Sequence, residues 1–364
     1  MPRLAASSFV AVAALAATLL SACGDGGTTP AAGPTANQPT TALSAGPTGP
    51  NTPAPKPLPT EVTVNASVPF RNIEAYAPLL LAEYFGEFKK ENIKINIQLV
   101  QTNNLVVLMQ KGDIDFAPAA PSAGLFNAIA GGADIKGIGG GVGWSPANHQ
   151  GYYVRKTLLK ADGTFSACDL KGKKVSTGSA TGLGSPAVVE LAAYLKTCNL
   201  TVKDVQIVPL GGADLLAGLE SGSVDAGNLS DPVWTTAEKN GHKLIIPFTA
   251  SITSYWMGRI RTEKPDVAAA VLRALVRTSR TYLQGDYRSN PEVKAGLVKA
   301  MEAKEESLSG PSSLIFDPDF KFPVANIAPI ETAWAGIGGI VNFDKPLSDA
   351  QIFDDRPRQT AVSA

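Results

Sequence analysis

LVVLMQKGDIDFA at residues 105–117 and LLAGLESGSVDAG at residues 215–227 are one pattern written twice. Each has an apolar helical face, then a glycine (Gly112, Gly222), then a short strand pattern carrying an aspartate (Asp115, Asp225). A proline-marked turn and a further amphipathic stretch follow both. The copies are 110 residues apart, too far for a solenoid period and suited to one small lobe each. Two similar α/β lobes imply a cleft. Ligands of open α/β sheets bind beyond the carboxyl ends of the strands, and two such ends facing each other make a clamp.

Residues 1–22 read as a targeting segment. Arg3 gives a thin positive start, 4–20 is mostly apolar and alanine-rich, and Leu20-Ser21-Ala22-Cys23 has the form of a lipobox whose Cys23 is acylated. A membrane-spanning anchor is the other reading of such a run, but it stops at LSAC and is followed by Gly24 and Asp25. Residues 23–60, mostly Thr, Pro, Ala and Gly, bury too little surface to offset their ordering entropy and are expected to form a disordered tether. The body, 61–364, is then expected to be an extracytoplasmic monomer held to the cell membrane through Cys23. It is long enough for two lobes with cores of their own. Basic and acidic residues balance at 32 each. With no basic stripe, nucleic acid is excluded as a partner class.

The body alternates strand and helix patterns. Strands are expected at 61–68, 94–100, 114–117 and 134–140, with helices over 77–88, the first repeat and 122–130. Pro78 falls in a first helical turn, where proline is favoured. This order predicts a parallel, doubly wound first lobe over 61–150. A second lobe, 151–246, holds strands at 152–155, 173–177, 205–208 and 243–246, helices at 185–196 and 232–239, and the second repeat. Residues 247–364 are helix-rich (265–284, 291–304, 326–336) and are assigned back to the first lobe, with the polar end from 344 expected to fray. Hinges are expected within 151–155 and 247–259.

Candidate ligand contacts lie at the expected carboxyl ends of strands: Phe70, Arg71, Asn72 and Glu74; Thr102 and Asn103; Pro121 and Ser122; Asn228, Ser230 and Asp231. The strongest local candidate is Thr177, Gly178, Ser179, Ala180 and Thr181, a loop of small residues before a helix expected to start with Ser185 as N-cap and Pro186 at its first position. Small residues let backbone N–H groups approach a ligand, and a helix N-terminus favours negative charge. A tight turn needing small residues accounts for the same pattern, and Gly182-x-Gly184-x-x-Ala187 is too short a match to argue for a dinucleotide. Trp144 and Trp256 are further candidates for stacking, Trp234 a weaker one, and Trp334 reads as core. Asp115 and Asp225 read as structural. His149 and His242 have no metal-ligand spacing, and no nucleophile elbow or Walker loop is present. No metal, cofactor or catalytic group is therefore expected.

The chain resembles the extracytoplasmic solute-binding proteins of ABC importers, in the group that takes nitrate, alkanesulfonates, taurine and thiamine-pyrimidine precursors. The resemblance is carried by Ala77-Pro78-Leu79 with Ala82 and Gly86-Glu87-Phe88; Gly112-Asp113-Ile114-Asp115-Phe116; Asp169-Leu170-Lys171-Gly172-Lys173-Lys174-Val175; Gly222-Ser223-Val224-Asp225-Ala226; and Asp231-Pro232. These occur in family order over 61–241, while the C-terminal third matches by topology only. Asp231 stands where glutamate before proline is common, Ile93 where a Gly-Leu pair is common, and 137–143 is unusually glycine-rich. The resemblance implies a type II periplasmic-binding-protein fold, two doubly wound α/β lobes around a ligand cleft. It also implies a non-enzymatic role: capturing a small solute and delivering it to a permease and its ATPase subunit. The neutral loop with Arg71 near it suits a small anion of the sulfonate, nitrate or taurine kind, and this is the expected substrate class. Glu74 and Asp231 instead suit a ligand with N–H donors, such as an aminopyrimidine. A sensor feeding a membrane receptor is an alternative, and so is an enzyme like the relatives that build a thiamine pyrimidine from their own histidine and a pyridoxal cofactor.

Cys168 and Cys198 lie at the same end of one βα unit, before its strand and after its helix, and outside the cytoplasm such a pair is a disulfide candidate. Closing this loop stabilises a fold by roughly 3–4 kcal/mol in the chain-entropy model. Two reduced thiols are the alternative. Intact mass decides between them: reductant is expected to add the mass of two hydrogens, and an unchanged mass would mean free thiols.

Overall fold

The computed structural model describes residues 52–248 and 253–363. The leader, Cys23 and the tether as far as residue 51 lie outside them. Among the described residues, no helix is long and apolar enough to cross a membrane.

Strand patterns become two five-stranded sheets of the same plan. The first contains β1 (Val62–Val68), β2 (Ile93–Leu99), β3 (Phe116–Ala119), β4 (Lys136–Gly139) and β11 (Ser254–Met257), in the order β2-β1-β3-β11-β4. The second contains β6 (Gly151–Val154), β7 (Lys174–Ser176), β8 (Gln206–Ile207), β9 (Ala226–Leu229) and β10 (Lys243–Pro247), in the order β8-β7-β9-β6-β10. A separate ribbon pairs β5 (Val142–Trp144) with β12 (Leu314–Phe316). The all-parallel expectation needs correction. β11 runs antiparallel to β3 and β4, and β6 antiparallel to β9 and β10. The cause is the path of the chain. The other strands bring their carboxyl ends toward the connections between the sheets. A strand entering from such a connection starts at that end and must run the opposite way. The two connections also touch, with Phe248 N–H donating to the Gln150 carbonyl at 2.9 Å.

The repeats occupy equivalent places. Helices Thr102–Lys111 and Gly212–Ser221 end on Gly112 and Gly222, at φ +83° and +77°, a left-handed conformation that glycine adopts without steric cost. Asp115 exchanges two bonds with the Asn65 backbone on β1, both 2.8 Å. Asp225 does the same with the Lys174 backbone on β7, at 3.0 and 2.9 Å. Each aspartate therefore pins the start of its strand to a parallel neighbour, a structural role. An arginine just past each antiparallel strand completes the motif: Arg155 Nε bonds Asp225 Oδ1 at 2.9 Å, and Arg259 Nη2 bonds the Lys111 carbonyl at 3.0 Å.

Other boundaries shift. The helix expected over 77–88 ends at Tyr84, with Gly86 at φ +70° turning the chain. Residues 53–58, counted with the tether, are anchored at both ends: Pro53 and Leu58 are buried, and Leu58 N–H donates to the Glu91 carbonyl at 3.0 Å. The tail from 344 does not fray. It forms helices Asp349–Ile352 and Arg356–Val362, buries Ile352 and Ala361, and stacks Phe353 on Phe322. Arg261 is shared between Asp134 and Asp354. The side-chain bond from Arg356 holds the Asp354 carboxyl below the usual carboxylate range against the effect of burial. The tail's mostly polar composition hides these few anchoring residues. Cys168 and Cys198 are paired, with Cα atoms 5.4 Å apart, an ordinary disulfide separation.

The long helix Pro265–Tyr282 is buried along most of its length. It carries Arg273 and Arg277 into an ionic cluster with Glu87 and Glu91, which Lys90 joins from the surface at 2.7 Å from Glu87. Arg277 bonds Glu87 at 2.5 Å and Glu91 at 2.8 Å, and Arg273 bonds Glu91 at 2.7 Å, with all four side chains buried. Two acids and two bases cancel, which makes their burial tolerable. Glu91→Gln leaves Arg273 without an ionised partner. It is expected to lower unfolding free energy by about 3–5 kcal/mol, read from urea midpoints. A loss below about 1 kcal/mol would be that of a solvated pair.

Candidate ligand-binding site

The carboxyl ends of β1, β3, β7 and β9 meet around a cavity of about 110 Å³. Phe70 and Tyr76 follow β1, Pro121 and Ser122 follow β3, Thr177–Thr181 follow β7, and Asn228, Ser230 and Asp231 follow β9. The connections between the sheets add Trp144, Gln150 and Phe248. Two of these loops meet backbone to backbone. Gly178 sits at φ +77°, and a Cβ there would come within 2.3 Å of the Asn228 carbonyl oxygen, so the approach admits only glycine. Ser176 Oγ donates to the Leu210 carbonyl at 2.7 Å and accepts from Gly178 N–H at 3.1 Å. Thr177 Oγ1 donates to the Gly182 carbonyl at 2.9 Å. The small-residue loop is thus held from within.

Phe70, Tyr76, Trp144 and Phe248 give the cavity aromatic walls, and Trp144 meets Phe248 edge-on with ring centres 5.7 Å apart. Three polar atoms on lining residues are buried without a hydrogen-bond partner: Trp144 Nε1, Asn228 Oδ1 and Asp231 Oδ1. Buried polar groups are nearly always paired, so such orphans call for an absent partner. One is a donor and two are acceptors.

Asp231 belongs to a buried ionic cluster. Arg288 bonds Glu74 Oε1 at 3.0 Å and also contacts Glu74 Oε2 and Asp231 Oδ2; Ser313 Oγ donates to Asp231 Oδ2. Tyr287 donates to Glu74 Oε1 at 2.8 Å. Burial, then the nearby Glu74 carboxylate, holds the Asp231 carboxyl well above its usual range, with Arg288 opposing.

Of the candidates read from the sequence, the cavity brings together Phe70, Thr102, Pro121, Ser122, Trp144, Thr177, Gly178, Ser179, Ala180, Thr181, Asn228, Ser230 and Asp231. It leaves out five. Arg71 turns away to Glu83 at 3.4 Å and the Ala300 carbonyl at 3.2 Å, because these acceptors lie outside the cavity and compete for its guanidinium. Asn72 and Asn103 are not among the lining residues, and Asn103 is exposed. Glu74 is buried behind the wall on Arg288. Trp256 is core: β11 is central in its sheet, and the indole donates to the Ala119 carbonyl at 3.1 Å. The helix expected from Ser185 starts at Val188, after a 3₁₀ turn at Gly182–Gly184, so its positive end stands back from the 177–181 loop. Tyr76, Gln150 and Phe248 were missed; the signal for the last two was their place in the segments connecting the sheets.

Residues 74–254 match the family described as NMT1/THI5 like. No curated protein matches the chain. Among solved structures, the alkanesulfonate-binding protein SsuA from Xanthomonas axonopodis pv. citri, bound to MOPS, is 18% identical, with TM-score 0.58 over 82% of this chain and 99% of that one. The periplasmic nitrate-binding protein NrtA from Synechocystis PCC 6803 is 13% identical, with TM-score 0.62 over 83% and 89%. The desulfurization enzyme DSZB is 14% identical, with TM-score 0.57 over 83% and 99%. These likenesses are of fold: the one shared by periplasmic binding proteins, and taken by an enzyme as well.

The raised carboxyl of Asp231 has a signed consequence. Its folded-state pKa lies above the unfolded value, so the folded chain holds this proton more tightly. The group therefore costs stability as pH rises above the ordinary aspartate value of about 3.9. Asp231→Asn is expected to raise the urea midpoint near pH 7, with the advantage vanishing toward pH 4. A variant less stable at neutral pH would mean that the attraction of Arg288 outweighs burial and Glu74.

Proposed function

We propose that this chain, with its NMT1/THI5-like domain on a periplasmic-binding-protein fold, is the solute-binding component of an ABC importer. The observation that carries this reading is the set of three unpartnered polar atoms on residues lining an aromatic-walled cavity between the strand ends of two sheets. Such a cavity binds and orients. The ligand contacts loops of both sheets, stabilises the state in which they are brought together, and shifts the population toward it. In this reading the closed protein then docks on the permease, and Cys23 tethers it to the outer face of the membrane.

The ligand is small. A cavity of about 110 Å³ suits a single ring; cavities of about 150 Å³ take benzene. The lining also shifts the choice of substrate. SsuA and NrtA are binders of alkanesulfonate and nitrate. Here, however, no Lys, Arg or His lines the cavity among the described residues, Arg71 is engaged elsewhere, and the acidic Asp231 is present. Two free acceptors and one free donor favour a planar heterocycle with N–H groups over a small anion. Trp144 and Phe248 stand edge-on to each other, so one ring would stack on the heterocycle's face while the other borders its edge.

Native mass spectrometry of the purified protein, titrated with aminopyrimidines, taurine, alkanesulfonates and nitrate, tests this. One stoichiometric adduct with a matching rise in Tm is expected from an aminopyrimidine. A tight adduct with a sulfonate or nitrate would overturn the heterocycle reading.

A further inference from the structure

Two carboxylates and one guanidinium meet behind the cavity wall. Glu74 is fully engaged, by Arg288 on both oxygens and by Tyr287. Asp231 is engaged on Oδ2 only, by Arg288 and Ser313, while Oδ1 is buried and unpartnered on a residue that lines the cavity. The formal charge of the cluster is one negative unit. The contrast within this protein is informative: the buried Glu87 and Glu91 are met by Arg273 and Arg277, and Lys90 joins Glu87 from the surface at 2.7 Å, so that cluster has no shortage of positive charge. A buried charge without a counter-charge is costly. Among the described residues, no basic side chain lines the cavity to supply it.

We propose that the ligand supplies it, and that the site selects a small monocation carrying N–H donors, of the amidinium or protonated amino-heterocycle class. One N–H of the cation donates to Asp231 Oδ1 in a charge-assisted bond, the kind that is shorter and stronger than its neutral equivalent. Another reaches Asn228 Oδ1, and the Trp144 face receives the cation's plane. The formal excess applies with both carboxylates ionised: a proton held on Asp231 in the empty site leaves to solvent as the cation enters, so charge balances in both states. The groups facing Asp231 are Glu74, Arg288 and Tyr287, with Tyr153 feeling its charge from β6. Only Arg288 among them is cationic, and Glu74 already shares it. This inference rests on the binding-protein reading and narrows it.

Calorimetric titration with three isosteric probes tests it: benzamidinium as the cation, benzamide as the neutral form, and benzenesulfonate as the anion. Benzamidinium is expected to bind one to one and to outbind benzamide and benzenesulfonate. Asp231→Asn should weaken benzamidinium by about 100-fold and leave benzamide nearly unchanged. Glu74→Gln removes the excess charge without touching the lining and should weaken benzamidinium by about tenfold. Both variants keep the shape of the side chain, and circular dichroism confirms folding. Benzenesulfonate binding more tightly than benzamidinium, or benzamidinium binding undiminished in Asp231→Asn, overturns the charge assignment and leaves the binding-protein reading standing. Failure of all three probes, with no adduct in native mass spectra of protein taken directly from cells, overturns both.

Discussion

Arg288 is shared by two carboxylates that come from different sheets. Glu74 follows β1 of the first, Asp231 follows β9 of the second, and the arginine itself lies in the C-terminal part of the chain. Glu74 N–H also donates to the Asp231 carbonyl at 3.1 Å. Three distant stretches of sequence are thus fixed at one buried point, and the cavity forms beside it. Removing Arg288 would leave two buried carboxylates without a counter-charge, which costs several times more than a lost surface pair. The relative placement of the two sets of strand ends, and with it the shape of the site, depends on this junction.

The second constraint is geometric. Strands that end at a shared face leave room there for loops only, and the chain must pass through that face twice to visit both sheets. Each passage delivers an antiparallel strand into a sheet interior. This accounts for the twin plan, for the equivalent positions of Arg155 and Arg259, and for the presence of Trp144, Gln150 and Phe248 in the cavity wall. Segments that connect the sheets are lining residues by necessity.

Much of this was legible in the sequence, and the reasons are local. A left-handed glycine after an apolar helical face, then an aspartate, reads the same at 112–115 and 222–225 because each copy meets the same backbone demand. The loops after β7 and β9 were placed correctly because strand ends follow from alternation alone. What failed depended on distant partners. Whether Arg71 or Glu74 faces the cavity is decided by Ala300 and Arg288, more than 200 residues on, and no pattern near residue 71 reports it. Trp256 was misread because all four residues of β11 are buried, and a central strand covered on both faces loses the period that separates inside from outside. The tail was misread because average polarity conceals three well-placed apolar residues.

The position of β11 also dictates when the molecule can become whole. It lies between β3 and β4, so the inside of the first sheet is incomplete until the chain through residue 257 is available, although its other four strands are finished by residue 139. A nascent chain of 200 residues would therefore expose two unpaired inner edges, the template on which strands of separate chains can pair. That last strand, only four residues long, then pairs on both sides at once.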